Sequence, residues 1–443
     1  MTHRALSTVA LVATTTLVGS VASAAESNVD DALLQEIQSL RARVAELERP
    51  ADESAAARSA EIRAIVADAL ADADSRSSML QSGGMAGHNG AFHIGSADGN
   101  FRLNVKGGMQ IRYLYSMQDN SGGDDSVSGF ENTRNRFGFS GHIVDPSWKY
   151  NIWGGWNASG GAVLLDAWVQ KDLGNGWAIR AGQFKLPTWQ EWSVSEMRQQ
   201  FVERSVLDAR FSQSYSQGVM AAYRQDNMRF YAAFSDGLRS LNTPFAGGTG
   251  VDPNGVDYAL TARAEWLVSG DWSNYSDFQS FQGDESTTVI GGGIHHQRGE
   301  SGTAANELEI TEFNLDGSFE FGGANVFAAF VYRTYDDDAS VDRDEMGFLI
   351  QGGYFLSDTT ELIARYEYGD LDGAGGAAGD DLSLLTVGVN RYWAKHSLKW
   401  STDLGYALDP VSSTWGSASR GFRGDAMNED GQIVLRSQLQ LTF

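Results

Sequence analysis

Nine basic residues, Arg102, Lys106, Arg112, Arg134, Arg136, Lys149, Arg180, Arg224 and Arg229, share one face of seven consecutive segments in which polar and apolar residues alternate. A single acid, Asp166, falls on that face with them. Cations gathered in this way lower the energy of anions, and arginine matches the geometry of phosphate or carboxylate oxygens. In the later segments the same parity carries Asp257, Glu265, Glu312, Asp316, Glu320, Glu361, Glu367 and Asp403 against Arg263, Arg365, Lys399 and Arg436. A basic wall and an acidic wall facing one wet space would set up a transverse field that orders water and favours small polar solutes. The plainer reading of any single charge is that it solvates a wet interior. The clustering of nine basic residues on contiguous segments is harder to explain that way.

Covalent and metal chemistry find little support. The chain has no Cys, which excludes disulfides, thiolate metal sites and thiol nucleophiles. His295 and His296 are adjacent, so on a strand they point to opposite faces. No Gly-x-Ser-x-Gly and no His-Glu-x-x-His occurs, and Gly291-Gly292-Gly293 falls inside a strand pattern, where it permits close packing. The expectation is a protein that is not an enzyme, with no cofactor and no metal ligands.

Period-two alternation is the signature of strands with one face in an apolar medium and the other in water. Residues 101–117 alternate almost without error, and fifteen further runs follow at 132–144, 148–158, 162–171, 176–185, 217–225, 227–236, 257–268, 287–298, 309–321, 325–335, 345–356, 360–369, 381–393, 397–408 and 432–443. The last places Ile433, Leu435, Leu439, Leu441 and Phe443 on one face and ends on the aromatic, which resembles the closing strand of bacterial outer-membrane barrels. Sixteen is an even number, as a closed antiparallel barrel with both termini on one side requires. The expected fold class is therefore all-β: a transmembrane antiparallel β-barrel of about sixteen strands with an N-terminal helical extension. Only strands would cross the membrane, since no stretch after the N-terminus approaches the ~18 apolar residues of a spanning helix. The 22 Phe, 15 Tyr and 12 Trp suit aromatic girdles at the two interfaces. With 33 basic against 57 acidic residues, nucleic acid is not an expected partner.

The remaining segments divide the chain. Residues 1–24 read as a signal peptide ending in Ala22-Ser23-Ala24. In residues 25–80, Leu33, Ile37, Leu40, Val44 and Leu47 form a short heptad seam that Pro50 ends. It suits a short parallel coiled coil such as a trimer, an amphipathic helix lying on the barrel or a loose tether, and a tether could reach peptidoglycan. Residues 81–91 read as a flexible linker and 92–443 as the barrel. Tight turns such as 145–147, 174–175 and 357–359 alternate with longer acidic loops, but one short-turn position holds the long stretch 269–286, for which the sequence offers no account.

Phe92 to Arg112 resembles the opening of the phosphate-selective porin O/P family. Residues 134–141, 166–169, 179–187, 201–205 and 263–267 are also similar to it. The resemblance implies a sixteen-stranded, homotrimeric outer-membrane porin whose third loop, here about 186–216, folds inward as the constriction. Around that loop Lys185, Arg198, Arg204 and Arg210 balance Glu191, Glu196, Glu203 and Asp208. A neutral constriction departs from what a phosphate-specific pore would carry. The expectation is a general or weakly anion-preferring diffusion pore for small hydrophilic or anionic solutes, in contact with outer-membrane lipid and lipopolysaccharide. The competing classes are a structural outer-membrane anchor or tether and, less supported, a barrel enzyme.

Overall fold

The computed structural model describes residues 34–43, 66, 85–118, 126–243, 255–301, 303–338, 342–373, 379–415, 420–424 and 430–443. The chain forms two units, residues 1–83 and 84–443. In the first, residues 34–43 are helical, with Ile37 and Leu40 of the heptad seam exposed. The signal segment, Leu33, Val44 and Leu47 lie outside the described residues.

The second unit is a closed antiparallel barrel. Two short strands open it, β1 (Met85–His88), which lies within the stretch read as a linker, and β2 (Phe92–Gly95). The barrel strands on the first side are β3 (Arg102–Met117), β4 (Ser126–His142), β5 (Trp148–Trp156), β6 (Ala162–Gly174), β7 (Trp177–Lys185), β8 (Tyr215–Arg224) and β9 (Met228–Ser235). They continue as β10 (Val256–Ser269), β11 (Thr287–Ser301), β12 (Thr303–Glu320), β13 (Ala324–Asp337) and β14 (Arg343–Ser357). The circle ends with β15 (Thr360–Asp370), β16 (Leu382–Tyr392), β17 (Leu398–Ala407) and β18 (Ile433–Thr442). Each strand pairs with the next, and β18 returns to β3 with Leu439 opposite Ile111. Closure leaves no unpaired edge, which is what a hydrocarbon surrounding demands.

All sixteen alternating runs are strands. Their outward faces carry Ile111, Leu260, Ile294, Phe313, Phe330, Ile350, Leu385 and Leu439, all exposed and forming the band that lipid covers. β18 covers only part of β3, and β2 pairs with the remaining Arg102–Val105. The C-terminal Phe443 lies over Gly107, where a Cβ would stand 2.4 Å from its ring, so only glycine leaves room. The short turns, Phe443 and the longer β10–β11 connection share one end of the barrel, and the other long loops share the opposite end.

The alternation misleads in one respect. The inner faces of β13 to β18 are not uniformly wet. Phe327, Ala329, Val331, Leu349, Leu382, Leu384, Ala407 and Val434 point inward and are buried. They pack against Trp189, Val206, Leu207 and Phe211 from the β7–β8 loop, Phe278 from the β10–β11 connection and Val411, Trp415 and Phe422 from the β17–β18 loop. That side of the lumen is filled by a hydrophobic core.

Candidate functional site

The β7–β8 loop, residues 186–214, folds into the lumen. It contains two short helices, α1 (Gln190–Ser193) and α2 (Val206–Phe211). Ser205 caps α2 by accepting a hydrogen bond from the Asp208 N–H at 2.8 Å. A loop inside a barrel must satisfy backbone groups far from its own strands, and the inward-facing acids do this. Glu367 Oε2 accepts from the Val206 N–H at 2.6 Å, and Asp403 Oδ2 accepts from the Val202 N–H at 2.9 Å. Glu361 Oε1 receives the Gln200 amide at 2.6 Å, and Glu312 Oε1 receives that of Gln213 at 2.6 Å. The acidic wall is thus spent on docking the loop and on wall cations: Arg436 donates to Asp403 at 2.5 Å and Arg333 to Glu312 at 2.8 Å. Asp257, expected on this wall, is exposed instead, because a register shift beside Tyr258 turns Val256 inward.

The transverse field between two open walls is therefore corrected. Most of the acidic wall is buried beneath the loop, Glu265 beside Arg263 still lines the opening, and what remains open lies along β3 and β5 to β10. Two contiguous cavities, of about 460 Å³ and about 710 Å³, mark this passage. Both are lined by Asn151, Asp166, Lys185, Ser193, Ser195 and Arg198. The first adds Arg180, Arg224, Arg229, Trp168, Tyr231 and Tyr275, and the second adds Lys106, Trp153 and Glu196.

The nine basic candidates separate into three groups. Arg112, Arg134 and Arg136 are turned to the loop. Arg112 Nη1 and Arg134 Nη2 bind the two oxygens of Glu203 at 2.5 and 2.7 Å, and Arg134 and Arg136 hold Glu196. Arg112 is 1% exposed, so it does not line the passage. Burial alone would raise the Glu203 carboxyl, but Arg134 and Arg112 beside it hold it well below the ordinary glutamate range. Lys149 pairs with Asp172 at the short-turn end, and Arg102 donates to Asn104 at 2.8 Å.

Lys106, Arg180, Arg224 and Arg229 face the passage. None of them pairs with a carboxylate among the described residues. Arg224 stands directly opposite Arg229 across β8 and β9, a like-charge neighbour pair that costs energy unless an anion or water screens it. Arg180 lies 4.0 Å from the centre of the Trp168 ring and donates to Gln170 at 2.9 Å, and Arg229 lies 3.8 Å from the centre of the Trp272 ring. Stacking fixes the guanidinium plane and leaves its edge for solutes.

The expected four-against-four balance of the constriction also changes. Glu191, Glu203, Arg204 and Asp208 are buried. Glu191 accepts from the Ser205 N–H at 2.7 Å, Arg204 donates to the Val194 carbonyl at 2.7 Å, and Arg210 pairs with Glu345. Burial pushes Asp208 up to about 6 although Arg420 contacts it at 3.1 Å. Only Lys185, Glu196 and Arg198 of the eight reach the passage, and Glu196 is already matched by Arg134 and Arg136. Glu131 was missed: an extra residue in β4 opposite Gln110 and Ile111 shifts the parity and turns it inward onto Arg112. Trp168 and Tyr231 were also missed, although Trp168 shares the parity of Asp166 on β6 and Tyr231 that of Arg229 on β9.

The family model of phosphate-selective porin O and P matches residues 103–410. The chain belongs to that family. It is an outer-membrane porin, a channel with the lumen just described. Solved structures with a similar fold include an anion-selective porin from Comamonas acidovorans, at 14% identity and TM-score 0.54 over 77% of this chain and 99% of that one. Others are the outer-membrane channel DcaP of Acinetobacter baumannii, at 12% identity and TM-score 0.54 over 81% and 100%, and Salmonella typhi OmpF, at 10% and 0.51 over 78% and 99%. A comparison with curated proteins gives no match. In this porin the loop carboxylates that look like constriction charges are the groups that fasten the loop.

Proposed function

We propose that this porin passes small hydrophilic solutes by diffusion with a weak preference for anions, and that it is not an enzyme. The observation that carries this is the asymmetric covering of the lumen. The inward loop and the wall arginines take up most of the acidic wall, with Glu265 paired to Arg263, and leave Lys106, Arg180, Arg198, Arg224 and Arg229 along the open side. A cationic lining lowers the barrier for anions. Three features oppose tight phosphate binding: the cations are spread over several strands, Asp166 sits among them, and three family-like arginines are already paired. The test is the zero-current potential of purified protein in planar bilayers under a KCl gradient, repeated with phosphate. An anion-side potential without micromolar phosphate block supports the reading. Cation preference, or micromolar block, overturns it.

We further propose a homotrimer embedded in outer-membrane lipid and lipopolysaccharide, with the helical extension as its assembly device. Ile37 and Leu40 are exposed on helix 34–43, as a seam awaiting like helices would be. Removing residues 25–80 is expected to convert trimers to monomers on analytical ultracentrifugation while conductance persists. If the trimers survive and the envelope loses integrity instead, a peptidoglycan tether is the better role.

A further inference from the structure

The β10–β11 connection, residues 270–286, occupies a position where every other described connection at this end of the barrel is a tight turn. It starts with Gly270 at φ +86°, where a Cβ would stand 2.2 Å from Thr287 Oγ1, so the chain reverses there into the lumen. Four aromatics then recur every third residue. Trp272 stays near the end of the barrel, its indole N–H donating to the Asp226 carbonyl at 2.7 Å. Tyr275 is buried and its hydroxyl receives Arg263 Nη2 at 2.9 Å. Phe278 packs at a tilt against Phe327, with ring centres 4.9 Å apart, and Phe281 against Phe355 and edge-on to Tyr392, at 5.0 and 5.1 Å.

These anchors carry the segment up to the inward loop. Gln190 donates to the Tyr275 carbonyl at 3.3 Å, Gln279 to the Gln199 carbonyl at 3.3 Å, and Arg198 Nη1 to Ser276 Oγ at 2.6 Å. His396 reaches Asp277 at 2.9 Å from the β16–β17 turn. Tyr275 and Ser276 at the tip line the 460 Å³ cavity.

We propose that residues 270–286 form a second constriction element, entering from the short-turn end and narrowing the passage jointly with the β7–β8 loop. A segment that merely closed the barrel would need two residues and would reach no pore-lining side chain. This one places a side chain in the open cavity and clasps the exposed cation of the loop. The inference rests on the porin reading but not on anion preference, which the zero-current potential tests separately from conductance.

The chain has no cysteine, so Ser276→Cys supplies a single thiol. The reagent is a bulky methanethiosulfonate added during single-channel recording. Modification is expected to drop conductance at least about twofold, because a pore-lining position constricts when its side chain grows. Replacing residues 271–285 by a two-residue turn is expected to raise conductance by about the same factor, in protein that keeps the heat-modifiable mobility of a folded barrel. Conductance unchanged after verified labelling of the cysteine would overturn the proposal, whether or not the turn replacement folds.

Discussion

In a KCl gradient, changing Arg180, Arg224 and Arg229 together to glutamine is expected to lower the anion-to-cation permeability ratio about tenfold and to move the zero-current potential toward the cation side. The size follows from charge and distance. A cation ~8 Å from an ion in a water-like passage contributes about 0.5 kcal/mol, roughly half that at 0.1 M salt, so three favour an anion and disfavour a cation by about 0.7 kcal/mol each, close to one decade in the ratio. These three are suited to act together. Arg224 and Arg229 are cross-strand neighbours, and Arg180 lines the same cavity from β7. No carboxylate among the described residues pairs with any of them, so their charge is available to solutes rather than cancelled.

Two controls separate charge from shape. The triple lysine variant keeps the charge and loses the stacking on Trp168 and Trp272, so it should keep most of the ratio. The difference between the wild type and the glutamine variant should also shrink in molar salt, where the screening length falls to about 3 Å. A glutamine variant with unchanged selectivity at low salt would show that the open wall does not select.

The strands were legible because lipid on one side imposes period two on every crossing, and that constraint is local. What lay beyond reach was nonlocal. Alternation gives the parity of Glu361, Glu367 and Asp403 but not what meets them, and they meet a loop more than a hundred residues away. One clue was present. Residues 326–331 (Val-Phe-Ala-Ala-Phe-Val) are apolar on both parities, the mark of a strand buried on both faces. Phe327 and Val331 face the core inside the lumen while Val326 and Phe330 face outward. Similarly, Trp272, Tyr275, Phe278 and Phe281 are too regular and too aromatic for a solvated turn, and three of the four are buried. The bulge in β4 that turns Glu131 inward had no such signal, because one extra residue leaves no trace in composition.

The second large effect concerns Glu203, which is 2% exposed and bridges Arg112 and Arg134. Glu203→Ala removes the carboxylate shared by buried Arg112 and partly exposed Arg134; Arg112 keeps Glu131 and Arg134 keeps Glu196, so the cost falls below the about 3–5 kcal/mol of a buried charge left alone. The barrel itself does not depend on this contact, since its strands are held by the closed ladder. The cost therefore falls on the loop. Other anchors, Glu367 on the Val206 N–H and Asp403 on the Val202 N–H, lie on β15 and β17, two to five strands further round the closed ladder. Losing Glu203 should loosen the middle of the loop against β3 and β4, where Glu196 still holds Arg134 and Arg136, while the loop stays docked on β15 and β17. The expected record is a wider, flickering channel, with conductance raised about twofold in protein that still shows folded-barrel mobility. Acid should not imitate the substitution. A carboxyl held below its ordinary range contributes stability above that range and loses it only as pH falls through the depressed value, so the wild type should stay quiet at about pH 4. Steady wild-type conductance in Glu203→Ala would mean that the apolar core under Trp189, Leu207 and Phe211 holds the loop without the arginine clasp.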